Sequence, residues 1–280
     1  MKLAISNIAW HPAERARIHA LLAELGVSGL EIAPGLTFPG EPDAFAPSEA
    51  AVAAFHQDLA AHGLSVVSMQ SLLFGVKDAM LFGTPDERSA FIAGLKRAIA
   101  LAARLGVPNL VMGSPVNRRI PDDMDRETAL DIAEQVFGCL GDRCAAAGCR
   151  LALEPNPAAY GANFMTTIGE TADVADRINH PAITVNFDLG SLHMNDEIAA
   201  VADWYARCAP RVSHVHISEP NLGPAPADSD LLGRIGRSLS AGSHQHWWSV
   251  EMRQADDDSL EHVKTAMTRC IAALSGEGRT

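Results

Sequence analysis

Four segments of the chain repeat one pattern of apolar and polar positions. Each is an Ala/Leu-rich helical stretch followed by a single glycine and a short aliphatic run: LLAELGVSGLEIAP (21–34), DLAAHGLSVVSMQ (58–70), LAARLGVPNLVMGS (101–114) and RCAAAGCRLALEPN (143–156). A glycine directly after a helix is typical of a left-handed helix end. An unbroken aliphatic run predicts a strand that is buried on both faces. The repeating unit is therefore helix, glycine, strand.

Extended along the chain, this unit predicts eight strands and seven helices. The strands are predicted at 3–10, 28–34, 65–71, 109–114, 150–156, 183–188, 212–218 and 247–252. The helices are predicted at 13–25, 48–62, 86–105, 127–147, 169–178, 196–208 and 258–275. The segment 219–246, rich in Gly, Pro, Ser and His, is predicted to be mostly loop.

Alternating strands and helices predict an α/β protein with a parallel sheet and right-handed crossovers. Eight units favour closure into a single-domain (β/α)8 TIM barrel over residues 1–280, a length that suits one such barrel. A doubly wound sheet is the alternative. It is disfavoured because no GxGxxG motif follows the first strand.

Composition narrows the classes of function. The 34 acidic and 22 basic residues give a net charge of -12, which disfavours nucleic acid as a partner, since its binding depends on Lys and Arg contacts to phosphates. No run approaches the roughly 20 apolar residues of a membrane span, and MKLAISNIAW lacks the apolar region of a signal peptide. A cytoplasmic location and no membrane partner are expected. The cysteines are odd in number and lack CxxC spacing, so they are predicted to be small apolar fillers rather than disulfide or metal ligands: Cys139, Cys144, Cys149, Cys208 and Cys270.

Acidic and histidine side chains end the last four predicted strands. These ends form the active-site face of a parallel barrel. In order along the chain they offer Glu154 and Asn156, Asp188 and His193, His216 and Glu219, and Glu251 and Arg253. Three carboxylates at one mouth would repel one another unless a cation compensates. Oxygen ligands with one imidazole suit Mn²⁺, Mg²⁺ or Co²⁺, and Zn²⁺ is also compatible. A divalent metal site is therefore predicted at Glu154, Asp188, His216 and Glu251.

The stretch RVSHVHISEP (211–220) places His214 and His216 on the same face of strand seven. His216 lies nearer the end of the strand and is the predicted ligand. His214 lies one layer deeper. It is interpreted as a hydrogen-bonded core histidine or, alternatively, as a residue that supports the metal ligand from behind.

The motifs LALEPN, VNFDLGSLH, HVHISEP and WSVEM, in this order on strands five to eight, resemble the xylose isomerase-like TIM-barrel superfamily. This superfamily of sugar phosphate isomerases and epimerases includes ketose 3-epimerases, inosose-handling enzymes and apurinic endonucleases. The resemblance implies that Glu154, Asp188, His216 and Glu251 hold the metal and that Glu154 and Glu251 also act as acid and base. One carboxylate would remove a proton next to a carbonyl, and the other would return it after an enediolate that the metal stabilises.

The expected function is thus that of a metal-dependent isomerase or epimerase acting on a sugar or sugar phosphate, in a chain that is a candidate homo-oligomer. Dehydration or β-elimination of a keto-sugar is the nearest alternative, because it begins with the same proton removal. Phosphodiester hydrolysis, as in apurinic endonucleases, would need more metal ligands and a basic surface. A barrel that only binds a ligand would need few polar groups at its mouth.

Other polar residues near the strand ends are candidates for substrate contact. Asn156, His193 and Arg253 are predicted to contact hydroxyls, although related epimerases have a His three residues after the Asp and His193 follows Asp188 by five. In GSPVNRR (113–119), the residues Ser114, Asn117 and Arg118 favour anion recognition or, for Arg118, a salt bridge to a neighbouring loop.

Two earlier strand ends and two pairs of residues are open to either of two interpretations. Glu31 and Gln70 end strands two and three, where they either contact the substrate or cap the barrel. Trp10 and His11 form an aromatic wall for a sugar ring or pack in the core. His244 and His246 precede strand eight, at the end of that strand opposite the expected site, and would take part in the chemistry only if the preceding loop folds over the mouth.

Overall fold

Eight parallel strands close into a barrel in sequence order, with β8 paired back to β1. The structure is a computed structural model, and it describes residues 1–240, 246–255 and 258–275. The strands are β1 Lys2–Ser6, β2 Gly29–Ile32, β3 Ser65–Met69, β4 Asn109–Met112, β5 Arg150–Leu153, β6 Ile183–Asp188, β7 Val212–Ser218 and β8 Trp247–Glu251. The predicted (β/α)8 barrel is confirmed.

The α-helices alternate with these strands and surround the barrel. They are α1 Arg15–Glu24, α2 Pro34–Thr37, α3 Glu49–Ala61, α4 Pro85–Leu105, α5 Arg126–Ala146, α6 Ile168–Ile178, α7 Leu189–Met194, α8 Val201–Cys208, α9 Ser229–Ser240 and α10 Ser259–Ser275. The four repeated glycines all have left-handed φ values, between 65° and 71°, as the pattern predicted. Across the described residues, none of these helices has both the length and the apolar composition to cross a membrane.

The prediction that 219–246 is mostly loop is wrong, because α9 contains 12 of the 23 residues that the structure describes in this segment. Two glycines in SDLLGRIGRSLS lower its intrinsic helix propensity. In the folded chain they allow close packing: a Cβ on Gly236 would lie 2.6 Å from a methyl carbon of Leu274 in α10. The apolar face of α9 is buried there through Leu232, Ile235 and Leu239. Tertiary packing therefore outweighs local propensity in this segment.

Several predicted boundaries also differ from the structure. The first strand, predicted to reach residue 10, ends at Ser6, whose side chain caps a 3-10 turn at Asn7–Ala9. The helix predicted at 196–208 begins at Val201, and the short helix α7 directly after β6 was not predicted. The segments that follow β3, β4, β5 and β7 contribute residues to the walls of a cavity at the mouth of the barrel.

The inside of the barrel is polar, whereas its outer face is apolar. In β7, Val215 and Ile217 pack against the hydrophobic shell, while His214, His216 and Ser218 point inward. Deeper in the barrel, a second group of buried or half-buried polar residues is connected by hydrogen bonds: Ser68, Asn109, Thr184 and Ser213. Buried polar groups of this kind are tolerated because each finds a partner.

Candidate metal centre

The four predicted ligands meet at one point at the C-terminal end of the barrel. Glu154 directly follows β5, Asp188 ends β6, His216 lies in β7 and Glu251 ends β8. One candidate ligand atom from each of the four residues lies within 4.8 Å of the others. Strand register produces this convergence, because Asp188 is paired with His216 and Ser218 with Glu251. All four residues are at most 8% exposed.

The imidazole of His216 faces two different environments. Its Nδ1 lies 3.0 Å from Oε1 of Glu154, 3.2 Å from Oε2 of Glu251 and 3.8 Å from Oδ2 of Asp188. None of these oxygens is aligned for a hydrogen bond, so the buried Nδ1 has no hydrogen-bond partner among the described residues. Its Nε2 lies 3.1 Å from Oε2 of Glu31. An ionised carboxylate can only accept hydrogen bonds. Nε2 of His216 therefore carries a proton and donates a hydrogen bond to Glu31.

These atoms fit a divalent cation. A buried nitrogen without a partner, surrounded by three carboxylates, is the donor set that Mn²⁺, Mg²⁺ or Co²⁺ accepts, and Zn²⁺ is compatible with it. The cation would remove the repulsion among the carboxylates. Glu31, on the far side of the imidazole, would hold the ring in the tautomer that directs the Nδ1 lone pair towards the cation.

The acidities of the ligands reflect this crowding. Burial and repulsion from Glu154 and Glu251 raise the pKa of Asp188 to about 7. Burial also raises the pKa of Glu251, despite its contact with His216. For Glu154, burial is outweighed by His216 and by hydrogen bonds from two asparagines, which lower its pKa. Burial likewise opposes charge on His216, but the surrounding carboxylates raise its pKa well above its ordinary value. A cation would replace these protons.

Two supporting residues were not found from the sequence. Asn186 donates from Nδ2 to Oε1 of Glu154 at 2.7 Å, and Ser218 donates from Oγ to Oδ2 of Asp188 at 2.5 Å. Asn186 precedes Asp188 by two residues and Ser218 follows His216 by two. Alternate residues of a strand share a face, so the two-residue spacing from a predicted ligand could have identified both residues as its neighbours.

Glu31 lies in β2 beneath the four ligands, fully buried and outside the described lining of the cavity. Besides His216, its carboxylate lies 3.2 Å from Nε2 of His214 and accepts from Nε2 of Gln70 at 2.9 Å. Burial raises its pKa, but the two histidines outweigh that effect and lower it well below the ordinary value. His214 also lies 3.0 Å from Oγ of Ser249, and burial lowers its pKa. Glu31 therefore contacts two core histidines on the side away from the cavity.

Arg118 is placed differently from the expectation of anion recognition. It is fully buried and does not line the cavity. Its five N–H groups all donate, to the backbone carbonyls of Gly113, Glu154, Phe164 and Met165 and to Oδ1 of Asn156. No donor is left for an anion or for the expected interloop salt bridge. Arg118 instead orients Asn156, whose Nδ2 donates to Oε2 of Glu154 at 3.2 Å.

Gly113 leaves the space that the carboxylate of Glu154 occupies. A Cβ at this position would lie 2.6 Å from Oε2 of Glu154 and 3.5 Å from Oδ1 of Asn156. A glycine is therefore required directly after β4, because the side chains of Glu154 and Asn156 approach the backbone closely at this position.

The four ligands lie beneath a cavity of about 600 Å³. Besides three of the predicted ligands, its walls include four residues that were candidates from the sequence, Gln70, Ser114, Asn156 and Glu219. Tyr160 and Asn221 also line it and were not predicted. The hydroxyl oxygen of Tyr160 accepts from the backbone N–H of Asn221 at 2.9 Å, so this contact joins the loops after β5 and β7 across the mouth.

A family model described as a xylose isomerase-like TIM barrel matches residues 19–250. The chain belongs to this family. The resemblance seen in the motifs of strands five to eight is thereby confirmed. A search of curated protein sequences gives no match.

Several solved structures share the family fold. The apo structure of 3-keto-D-glucoside 4-epimerase YcjR from E. coli has 15% identity and a TM-score of 0.77, with 96% of this chain and 98% of that chain covered. D-Psicose 3-epimerase with D-tagatose, from Clostridium cellulolyticum H10, has 16% identity and a TM-score of 0.79, with 98% and 99% covered. An AP endonuclease of family 2 from Brucella melitensis has 18% identity and a TM-score of 0.72, with 94% and 97% covered. At these identities the similarity shows a shared fold.

Besides Glu31 and Arg118, three further predicted substrate contacts lie away from the described cavity lining. The amide of Asn117 donates to the backbone oxygen of Ala79 at 2.6 Å and so connects two loops. His193 lies beside a separate pocket of about 50 Å³. Arg253 is exposed, and its backbone N–H donates to Leu222.

The remaining aromatic and histidine candidates have structural positions. Trp10 is buried and packs edge-on against His19, which supports the packing interpretation over an aromatic wall. His11 caps a 3-10 turn at Pro12–Glu14. His246 precedes β8 at the opposite end of the barrel from the candidate metal centre, and His244 lies outside the described residues.

Proposed function

We propose that the chain is a divalent-metal-dependent sugar isomerase or epimerase that removes and returns a proton on the carbon next to a carbonyl. The observation that carries the proposal is the buried Nδ1 of His216, without a hydrogen-bond partner in the described structure and facing three carboxylates beneath a cavity of about 600 Å³. Structures named as epimerases share the fold, which supports a reaction of this class.

Each side chain at the centre has a separate role in this proposal. A bound divalent cation would polarise the substrate carbonyl and stabilise the negative charge that develops when the adjacent carbon loses its proton. Glu154 and Glu251 line the cavity from strands that are three positions apart around the barrel. From these two sides one carboxylate takes the proton and the other returns it.

Asp188 and His216 hold the centre rather than move the substrate proton. Asp188 is fixed on one oxygen by the backbone N–H of Ser191 and on the other by Ser218. His216 is fixed through Nε2 by Glu31. Such anchoring keeps the ligands within the small displacements that proton transfer tolerates.

Solvent exchange tests the proposal directly. Protein loaded with Mn²⁺ is incubated in D₂O with a panel of ketoses and ketose phosphates, and deuterium next to the carbonyl is measured by NMR. We expect label in at least one compound, and at least about a hundredfold slower exchange in Glu154→Gln and in Glu251→Gln. Glu134→Gln, which changes an exposed carboxylate on α5, serves as the control. Exchange at the wild-type rate in both active-site variants, with fold verified by circular dichroism, would remove the two-glutamate mechanism.

The alternative reactions give different products. Dehydration or β-elimination also begins with loss of the proton next to the carbonyl, but it yields a product that has lost water or another leaving group, which mass spectrometry detects. Phosphodiester hydrolysis would nick DNA at an abasic site, and we expect no nicking. A homo-oligomeric state and a cytoplasmic location stay predictions.

A further inference from the structure

We infer that the substrate is an uncharged, hydroxyl-rich carbonyl compound that carries no phosphate or carboxylate group into the cavity. The inference rests on the proposed function and deepens it, because sugars and sugar phosphates would both satisfy the proton-transfer chemistry. It follows from the hydrogen-bond donors and acceptors that the cavity walls present.

The charged groups in the cavity walls are carboxylates. Glu154, Asp188 and Glu251 lie at the floor, and Glu219 lies further up after β7. The described lining includes no Lys, Arg or His side chain. Four negative charges against the two positive charges of one divalent cation leave the cavity negative. Repulsion between like charges in a partly desolvated site therefore opposes a phosphate ester.

Gln70 presents an acceptor rather than a donor to the cavity. Its Nε2 donates to Oγ of Ser6 at 2.8 Å and to Oε1 of Glu31 at 2.9 Å. Because Glu31 is a carboxylate that only accepts, the orientation of the amide is fixed. Both amide hydrogens are used, so the free group is Oε1, on a side chain that lines the cavity.

The amide of Asn156 is partly engaged. Its Oδ1 accepts from Arg118 at 2.6 Å, and its Nδ2 donates one hydrogen to Glu154 at 3.2 Å, so a single uncharged N–H remains. The walls also contain the hydroxyls of Tyr160, Ser71 and Ser114 and the amide of Asn221, which are uncharged and weaker anion ligands than a guanidinium.

Because most of these wall groups accept hydrogen bonds, the cavity favours a ligand that can donate them. Carboxylates and the amide oxygen of Gln70 accept hydrogen bonds, and sugar hydroxyls supply them. A phosphate offers only acceptor oxygens and negative charge at neutral pH, so it would leave these wall groups without donors. The lining therefore favours a neutral polyol.

Matched pairs of ligands test the inference. D-Fructose, D-ribulose and D-xylulose are each compared with their terminal phosphate esters in the deuterium exchange assay with Mn²⁺-loaded protein. Binding is measured separately by calorimetric titration of D-glucitol and D-glucitol 6-phosphate, which cannot react. We expect at least a tenfold preference for the uncharged member of each pair in kcat/KM and in Kd. Glu219→Gln should reduce this preference, whereas Glu134→Gln should leave it unchanged.

The two readouts separate failure of this inference from failure of the proposed function. Equal or tighter binding of the phosphate ester, or no binding of either glucitol compound, overturns the inference. If Arg253→Ala then removes the ester's advantage, Arg253 is the anion contact that the described lining lacks. Preferential binding of D-glucitol without exchange in any ketose keeps the inference and overturns the proposed proton transfer.

Discussion

Replacing Glu31 with glutamine should weaken metal binding although Glu31 would not touch the metal. The change keeps the shape of the side chain but removes a fully buried negative charge that contacts His216 at 3.1 Å, His214 at 3.2 Å and Gln70 at 2.9 Å. One carboxylate oxygen becomes an NH₂ group, which then faces an N–H donor. Either His216 loses the acceptor that fixes its tautomer or Gln70 loses its partner.

The expected magnitude follows from these contacts. Loss of a partner behind a metal-binding histidine typically costs about 10- to 100-fold in metal affinity, or about 1.4 to 2.7 kcal/mol. The mismatched donors inside the barrel should also lower the free energy of unfolding of the metal-free protein by about 1 to 3 kcal/mol.

Competition against a fluorescent chelator gives the Mn²⁺ affinity of the folded variant, and urea denaturation in EDTA gives its stability. Ser249→Ala is the matched control, since it removes a buried hydrogen bond of His214 at 3.0 Å in the same layer. It should lower stability and leave Mn²⁺ affinity unchanged. Wild-type affinity in Glu31→Gln, or an equal loss in Ser249→Ala, would refute the reasoning.

Three further predictions concern the same region. Gly113→Ala places a Cβ 2.6 Å from Oε2 of Glu154. We therefore expect at least tenfold lower exchange activity and Mn²⁺ affinity, with the helical circular dichroism signal unchanged. Wild-type activity and affinity would mean that Glu154 is free to move. Arg118→Met leaves five acceptors without their donor. The free energy of unfolding, measured in urea, should fall by more than about 3 kcal/mol. A loss below about 1 kcal/mol would show that the protein does not depend on these hydrogen bonds. The pKa of Asp188 is raised to about 7 and that of His216 is raised well above its usual value, so binding of a cation must displace protons. Mn²⁺ affinity should therefore rise between about pH 6 and 8, and calorimetry should show net release of protons on binding. An affinity independent of pH over that range would contradict these protonation states.

The barrel and its four candidate ligands were predictable because both depend on local patterns. Glycine-terminated helices followed by aliphatic runs mark each repeat, and a charged residue after a buried strand stands out in any parallel barrel. Asp188 and Glu251 each end a strand in the structure, and Glu154 follows one directly. A strand fixes the direction of its side chains, so their convergence needed no knowledge of the loops.

The positions of the other candidates depend on contacts far apart in sequence. Arg118 is turned inward by carbonyl groups of Phe164 and Met165, more than 40 residues away. Glu31 is paired with Ser68 because the register of β2 and β3 shifts between Leu30 and Glu31, and Gln70, two residues further along the chain, donates to its carboxylate. Neither the course of a loop nor a register shift can be read from the neighbouring residues here. The sequence therefore indicated which residues lie near the strand ends but not which groups their side chains contact.

The central claim is that one divalent cation binds among Glu154, Asp188, His216 and Glu251. Equilibrium dialysis of Mn²⁺ against the metal-stripped protein, alongside Asp188→Asn and His216→Gln, tests it most directly. We expect one tight site per chain that both variants lose while they stay folded. Absence of a tight site in the wild-type protein, or the same stoichiometry and affinity in both variants, would contradict it.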